Sequence, residues 1–173
     1  VIFRKLESAD WQSYKAIRLQ SLEQSPQAFE SSLVEETLFS PEQWQTRLIQ
    51  SQGAFCVGAF TDQGELVAIA GFNQGQKLKT RHKSYLWGVY VLPQVRGQSL
   101  AKQLIETLIH EFNQRFDISI LQLTVTSNNV HAITLYQKLG FKEYGIERDA
   151  IRVEGQSFDE ILMSLVKPEL GLI

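Results

Sequence analysis

The stretch from Leu86 to Phe112 constrains this chain more than any other, because its periodicity changes once, across a short polar loop. Leu86-Trp-Gly-Val-Tyr-Val-Leu92 is a β-rich run that stops at Pro93. Apolar residues then recur at Leu100, Leu104, Ile105, Leu108, Ile109 and Phe112, the spacing of one helix face. Strand, loop and helix follow in that order. The loop carries Arg96, Gly97, Gln98 and Ser99 to the point where a helix begins. The first backbone N–H groups of a helix lack intrahelical partners, and the aligned peptide dipoles make that end partly positive. Such a loop can hold a phosphate, or it can simply start a helix.

A second segment bears on that choice. Asn129-Val-His-Ala132-Ile-Thr-Leu-Tyr136-Gln-Lys-Leu-Gly140-Phe141 places an Ala three residues and a Tyr seven residues after an Asn, and closes on Gly-Phe. Together the two segments resemble the paired signatures of the GNAT superfamily of N-acetyltransferases. The pyrophosphate loop of that superfamily reads Gln or Arg, two residues, Gly, one residue, Gly or Ala. Arg96 and Ala101 match it in one register, with Ser99 where the first glycine usually stands. A second register starts at Gln94, matches Gly97 and ends on Ser99; the distance from Pro93 favours the first. The resemblance covers most of the chain and is most specific between Val89 and Phe141.

The resemblance implies an α/β fold of the acyl-CoA N-acyltransferase type, a central mostly antiparallel sheet with splayed middle strands and helices on both faces. It implies acetyl-coenzyme A as cosubstrate. Its pantetheine arm would lie on the backbone of Val89, Tyr90 and Val91, its pyrophosphate on Arg96, Gly97, Gln98, Ser99, Leu100 and Ala101, with Asn129, Ala132 and Tyr136 completing the site. The reaction implied is direct attack of a primary amine, from a small molecule or peptide, on the acetyl thioester. A backbone N–H near Val91 would face the developing oxyanion, and Tyr136 would donate a proton to the departing thiolate. A helical Tyr is also commonly a half-buried packing residue, and Asn129, placed just before Val130, is a natural helix cap as well. Some relatives that act on protein N-termini carry a Glu five residues before the motif Asn; here that residue is Thr124.

The remaining carboxylates offer alternatives. Glu30, Glu35 and Glu36 fall in an acidic segment, Phe29 to Phe39, which reads as irregular. They are candidates to attract a cationic amine, or are simply a solvated acidic loop. Glu143, Glu147, Asp149, Glu154, Asp159 and Glu160 flank the last strands and read mostly as surface charges. Phe29, Phe39 and Trp44 read as exposed aromatics that line an acceptor pocket or form a subunit contact, so a homodimer is possible.

With 173 residues the chain reads as a single domain over 1–173, large enough to bury a core without disulfides or metals. A formal net charge of −2 gives no global reason to expect nucleic acid, and the cluster Lys77, Lys79, Arg81, His82, Lys83 reads as a solvated hairpin turn. Cys56, the single cysteine, lies in an apolar run and reads as a buried inert thiol. The three histidines lack metal-ligand spacing, so no metal is expected. No run reaches the roughly 18 apolar residues of a membrane span, and no signal-peptide pattern opens the chain, so the expectation is a cytoplasmic protein without a membrane partner.

Strands are expected at residues 1–6, 54–61, 66–74, 84–92, 118–126, 141–152 and 157–166. Helices are expected after a cap at Ser8 or Asp10, from Pro41 to about Gln50, across Leu100 to Phe112, and from Asn129 to Leu139, with Gly140 in the left-handed position that ends a helix. Two other functions remain in view. One is a non-catalytic acyl-CoA-binding sensor on the same fold, motivated by Ser99 and Thr124. The other is an unrelated nucleotide-binding α/β domain, for which the GxxxxGK[ST] and GxGxxG patterns are missing.

Overall fold

The computed structural model describes residues 1–168. Seven strands form one sheet in the order β1-β2-β3-β4-β5-β7-β6. They are β1 (Ile2–Lys5), β2 (Ala54–Phe60), β3 (Leu66–Gln74), β4 (Lys83–Val91), β5 (Ile120–Thr126), β6 (Lys142–Val153) and β7 (Gln156–Val166). Every neighbouring pair is antiparallel except β4 and β5, which run parallel. A parallel pair needs a crossover, and the amphipathic helix α4 (Leu100–Gln114) supplies it. It packs across β2, β3 and β4, and buries Leu100, Leu104, Ile105, Leu108 and Phe112, the face its sequence spacing predicts.

Strand alternation builds a core on each side of the sheet. In β2, Phe55, Val57 and Ala59 point into the larger core with α4, while Cys56 and Phe60 point to the other side. That second core holds Leu6, Tyr14, Ile17, Trp44 and Tyr90 under helices α1 (Trp11–Gln24) and α3 (Pro41–Arg47). Burial pushes the Cys56 thiol up to about 11, which suits an inert core residue. The aromatic reading needs correction: Phe29 and Phe39 are half-buried against the second core, not exposed. Trp44 is fully buried, edge-on to Tyr14, so it is core and not surface.

Two expectations about helix ends change. Asp10 occupies the cap position of α1, but its carboxylate turns back to accept two hydrogen bonds from Arg4 and one from the Glu7 N–H. Segment 29–39 is not irregular throughout. Ser32 and Glu35 form a reciprocal capping box that starts a short helix, α2 (Leu33–Thr37). The nine-residue helix α5 (Val130–Lys138) is closed off by Gly140, whose φ of +93° is the left-handed value expected there.

Candidate active site

The parallel seam of the sheet is short. β4 and β5 pair only at Lys83–Ile120, Ser84–Leu121 and Tyr85–Gln122; beyond these β4 continues against β3 alone and β5 against β7 alone. A bulge marks where they part. Ile69 pairs with Tyr90 but Gly71 with Trp87, so Gly88 and Val89 together oppose Ala70. Gly88 takes the extra turn at φ +63°, and Gly71 leaves room for the Trp87 indole, which a Cβ there would overlap. The backbone of each strand therefore meets the gap without a neighbouring strand, and its polar groups are free to bond a ligand.

At the wide end of the gap, Pro93–Val95 form a single 3-10 turn that leads into α4. Gly97 and Ser99 both lie in left-handed conformation, at φ +82° and +59°. Ser99 is the cap residue of α4 and makes no side-chain cap bond, so the first turn of the helix presents its N–H groups outward. This curl of exposed backbone fits an anionic pyrophosphate, with Arg96, Gly97, Gln98 and Ser99 exposed around it. Two members of the expected site can serve only through backbone. Leu100 is buried in the core, and the Tyr90 side chain points into the second core, where its hydroxyl donates to Gln24 at 2.7 Å. Arg96 folds back, its Nε donating to the Val91 carbonyl at 3.0 Å.

Asn129 caps α5 by accepting from the Ala132 N–H at 3.2 Å. Tyr136, one turn further on, is 7% exposed and packs edge-on to Phe141 at 5.8 Å between ring centres. Burial pushes its phenol well above the usual tyrosine range.

On the opposite side of the splayed strands lies a cavity of about 480 Å³, with Trp87 and Gly88 of β4, Thr124 of β5 and Glu160 of β7 in its walls. Glu160 is 5% exposed, and this overturns its reading as a surface charge. It sits opposite Thr126 in the β5–β7 register, on the same face as Thr124, so this face carries a carboxylate although residue 124 is Thr. Burial, then the negative charges of Glu30 and Glu147, raise its pKa, with the Thr124 hydroxyl pulling the other way. Of the three acidic candidates, Glu30 lines the cavity. Glu35 is exposed and spent on the Ser32 cap. Glu36 is fully buried, ion-paired to Arg18 at 2.7 Å and to Arg47 at 3.1 Å, so it holds helices together and cannot receive an amine.

Sequence reasoning missed Glu160, Arg18 and Arg47. Strand parity places Glu160 with Phe158 and Leu162, but which face meets the cavity depends on register with β5. Among the described residues no group of His, Cys, Asp and Glu could hold a metal ion, and no helix is long and apolar enough to cross a membrane.

Comparison with known proteins follows the same lines. The model of the acetyltransferase (GNAT) family matches residues 15–141. The ribosomal protein bS18 alanine N-acetyltransferase of Escherichia coli K12 is 36% identical over 80 residues, 46% of this chain and 53% of that one. The spermine/spermidine N(1)-acetyltransferase of Bacillus subtilis 168 is 27% identical over 48% of this chain and 57% of its own length. The chain thus spans about half the length of the curated relatives it matches. An acetyltransferase of the GNAT family from Streptococcus pneumoniae has the same fold, with a TM-score of 0.85 over 96% of this chain and 99% of the other, at 24% identity.

Proposed function

Because this chain belongs to the acetyltransferase (GNAT) family, we propose that it moves an acetyl group from acetyl-coenzyme A to a primary amine seated in the cavity beside the splayed strands. One observation carries the reading. A single opening between β4 and β5 has an anion-binding curl of backbone at one end and, across it, a cavity that holds a buried carboxylate.

Acetyl-coenzyme A supplies an activated acetyl thioester; the chain supplies position, protons and charge. The curl from Arg96 to Ala101 holds the pyrophosphate, and the open edge of β4 along Val89, Tyr90 and Val91 offers backbone groups to the pantetheine arm. A backbone N–H on that edge near Val91 meets the charge that develops on the carbonyl oxygen. An amine arrives protonated and has no lone pair until it loses that proton. Glu160 takes it, since burial and its acidic neighbours raise its proton affinity toward the operating range. Tyr136 remains protonated because burial holds its pKa high, so its Oη has a proton to give to the leaving thiolate. The carboxylate beside Thr124 supports turnover over a sensor that only binds the coenzyme.

The reading is tested by calorimetric titration with acetyl-coenzyme A against ATP and NAD, followed by thiol release on a panel of amines. Selective saturable binding and amine-dependent thiol release are expected. A folded protein that does not bind the coenzyme overturns it.

A further inference from the structure

The cavity has two chemically opposite walls. Glu160 and Glu30 give one of them negative charge. The other, on the β3–β4 side, carries Arg18 and Arg47, which share one carboxylate, Glu36. Two guanidiniums on one carboxylate leave a net charge of about +1, and Arg18 is only 3% exposed. The carboxylate of Glu36 accepts from Arg18 Nε at 3.0 Å and Nη2 at 2.7 Å, which occupies one edge of that guanidinium. Arg18 Nη1 is buried and makes no hydrogen bond among the described residues, and it faces the bulge, where it is the only atom that a Cβ on Gly88 would meet. Trp87 Nε1, in the same wall, is a second buried donor without a partner among the described residues. An uncompensated buried charge with idle N–H groups is costly unless a ligand satisfies it.

We propose that the acceptor carries a carboxylate beside its amine, as an amino acid does, and that Arg18 Nη1 and Trp87 Nε1 receive that carboxylate while Glu160 faces the amine. The inference rests on the acetyl-transfer reading of the same cavity and narrows its substrate class. A polyamine would set a second cation against the Arg18–Arg47 wall, and a peptide N-terminus offers a neutral carbonyl in place of the anion.

The test compares each protein amino acid with its amide and its decarboxylated amine, and adds alanyl peptides and spermidine. Binding is read by calorimetry on the protein–coenzyme A complex, and transfer by thiol release with acetyl-coenzyme A. At least one amino acid is expected to bind about tenfold or more tightly than its decarboxylated partner. The preference should shrink to about threefold or less in Trp87→Phe, which keeps a ring over Gly71 and removes the N–H. Arg18→Gln alone takes the wall from about +1 to about zero, leaves Glu36 paired with Arg47 and should abolish the preference; should that variant not fold, Trp87→Phe decides alone. Equal or tighter binding of the amines, amides, peptides or spermidine overturns the proposal, as does no binding at all or a preference that survives Trp87→Phe. Thiol release on bare amines without preference sinks the carboxylate subsite and leaves acetyl transfer standing. A carboxylate preference in binding without thiol release does the reverse.

Discussion

Glu160 lowers the stability of the folded protein under the conditions in which it would accept a proton. Its folded-state pKa is raised, first by burial and then by Glu30 and Glu147, so the folded state binds its proton more tightly than the unfolded chain does. Stability therefore falls as pH rises from the ordinary carboxylate range through the raised value. Glu160→Gln should melt higher than the parent at mildly alkaline pH, with the difference closing as pH drops to the ordinary range; melting curves across pH check it. The same variant should lose about a hundredfold or more in kcat/KM, a loss that separates a base from a structural residue. Tyr136→Phe keeps the ring against Phe141 and removes only the acid. It should lower kcat by about tenfold to a hundredfold while coenzyme A affinity, read by calorimetry, stays within about twofold.

Between elements, the most buried ion pairing among the described residues joins Arg18 on α1 and Arg47 on α3 through Glu36 on α2. Burial alone would push the Glu36 carboxyl up, but its hydrogen bonds and charge contact with Arg18, then Arg47, hold it below the ordinary range. That contribution is present at neutral pH and is lost as pH falls below the ordinary carboxylate range through the lowered value. Glu36→Gln should cost about 3–5 kcal/mol at neutral pH, measured by urea unfolding, because it strands two guanidiniums. In the loop before α4, Ser99 holds a left-handed φ that glycine adopts without strain. Ser99→Gly should stabilise the protein by about 0.5–1 kcal/mol, the relief of that strain less the added freedom of the unfolded chain, and should not weaken coenzyme A binding.

These elements also show what a linear reading captures. α4 was legible because its apolar spacing is regular, and β3 because turn residues bound an apolar run at each end. α2 was not, since its buried residue is the charge Glu36 while Val34 is exposed, the inverse of an amphipathic pattern. The loop proposed to hold the coenzyme lies in one contiguous stretch, so a linear motif can point to it. The cavity proposed for the acceptor draws on α1, α3, β4, β5 and β7, and strand register and helix docking, which no local pattern encodes, bring those residues together.

At the scale of the whole molecule, the sheet is two unequal panels, β1 to β4 and β5 to β7, joined by three residue pairs, with α4 packed on the first. Amides in 86–91 and 123–126 should exchange faster than those of β2 and β3 in the free protein, and slow on addition of coenzyme A, as hydrogen exchange would show. A ligand laid between the panels acts as a removable strand, and it stabilises the folded protein by binding that state alone. Protease resistance should then follow coenzyme concentration, a dependence that limited proteolysis with and without coenzyme A measures. The lifetime of the protein would in that way be tied to the supply of acetyl donor, since a chain short of its cosubstrate is weakest along the line where it works.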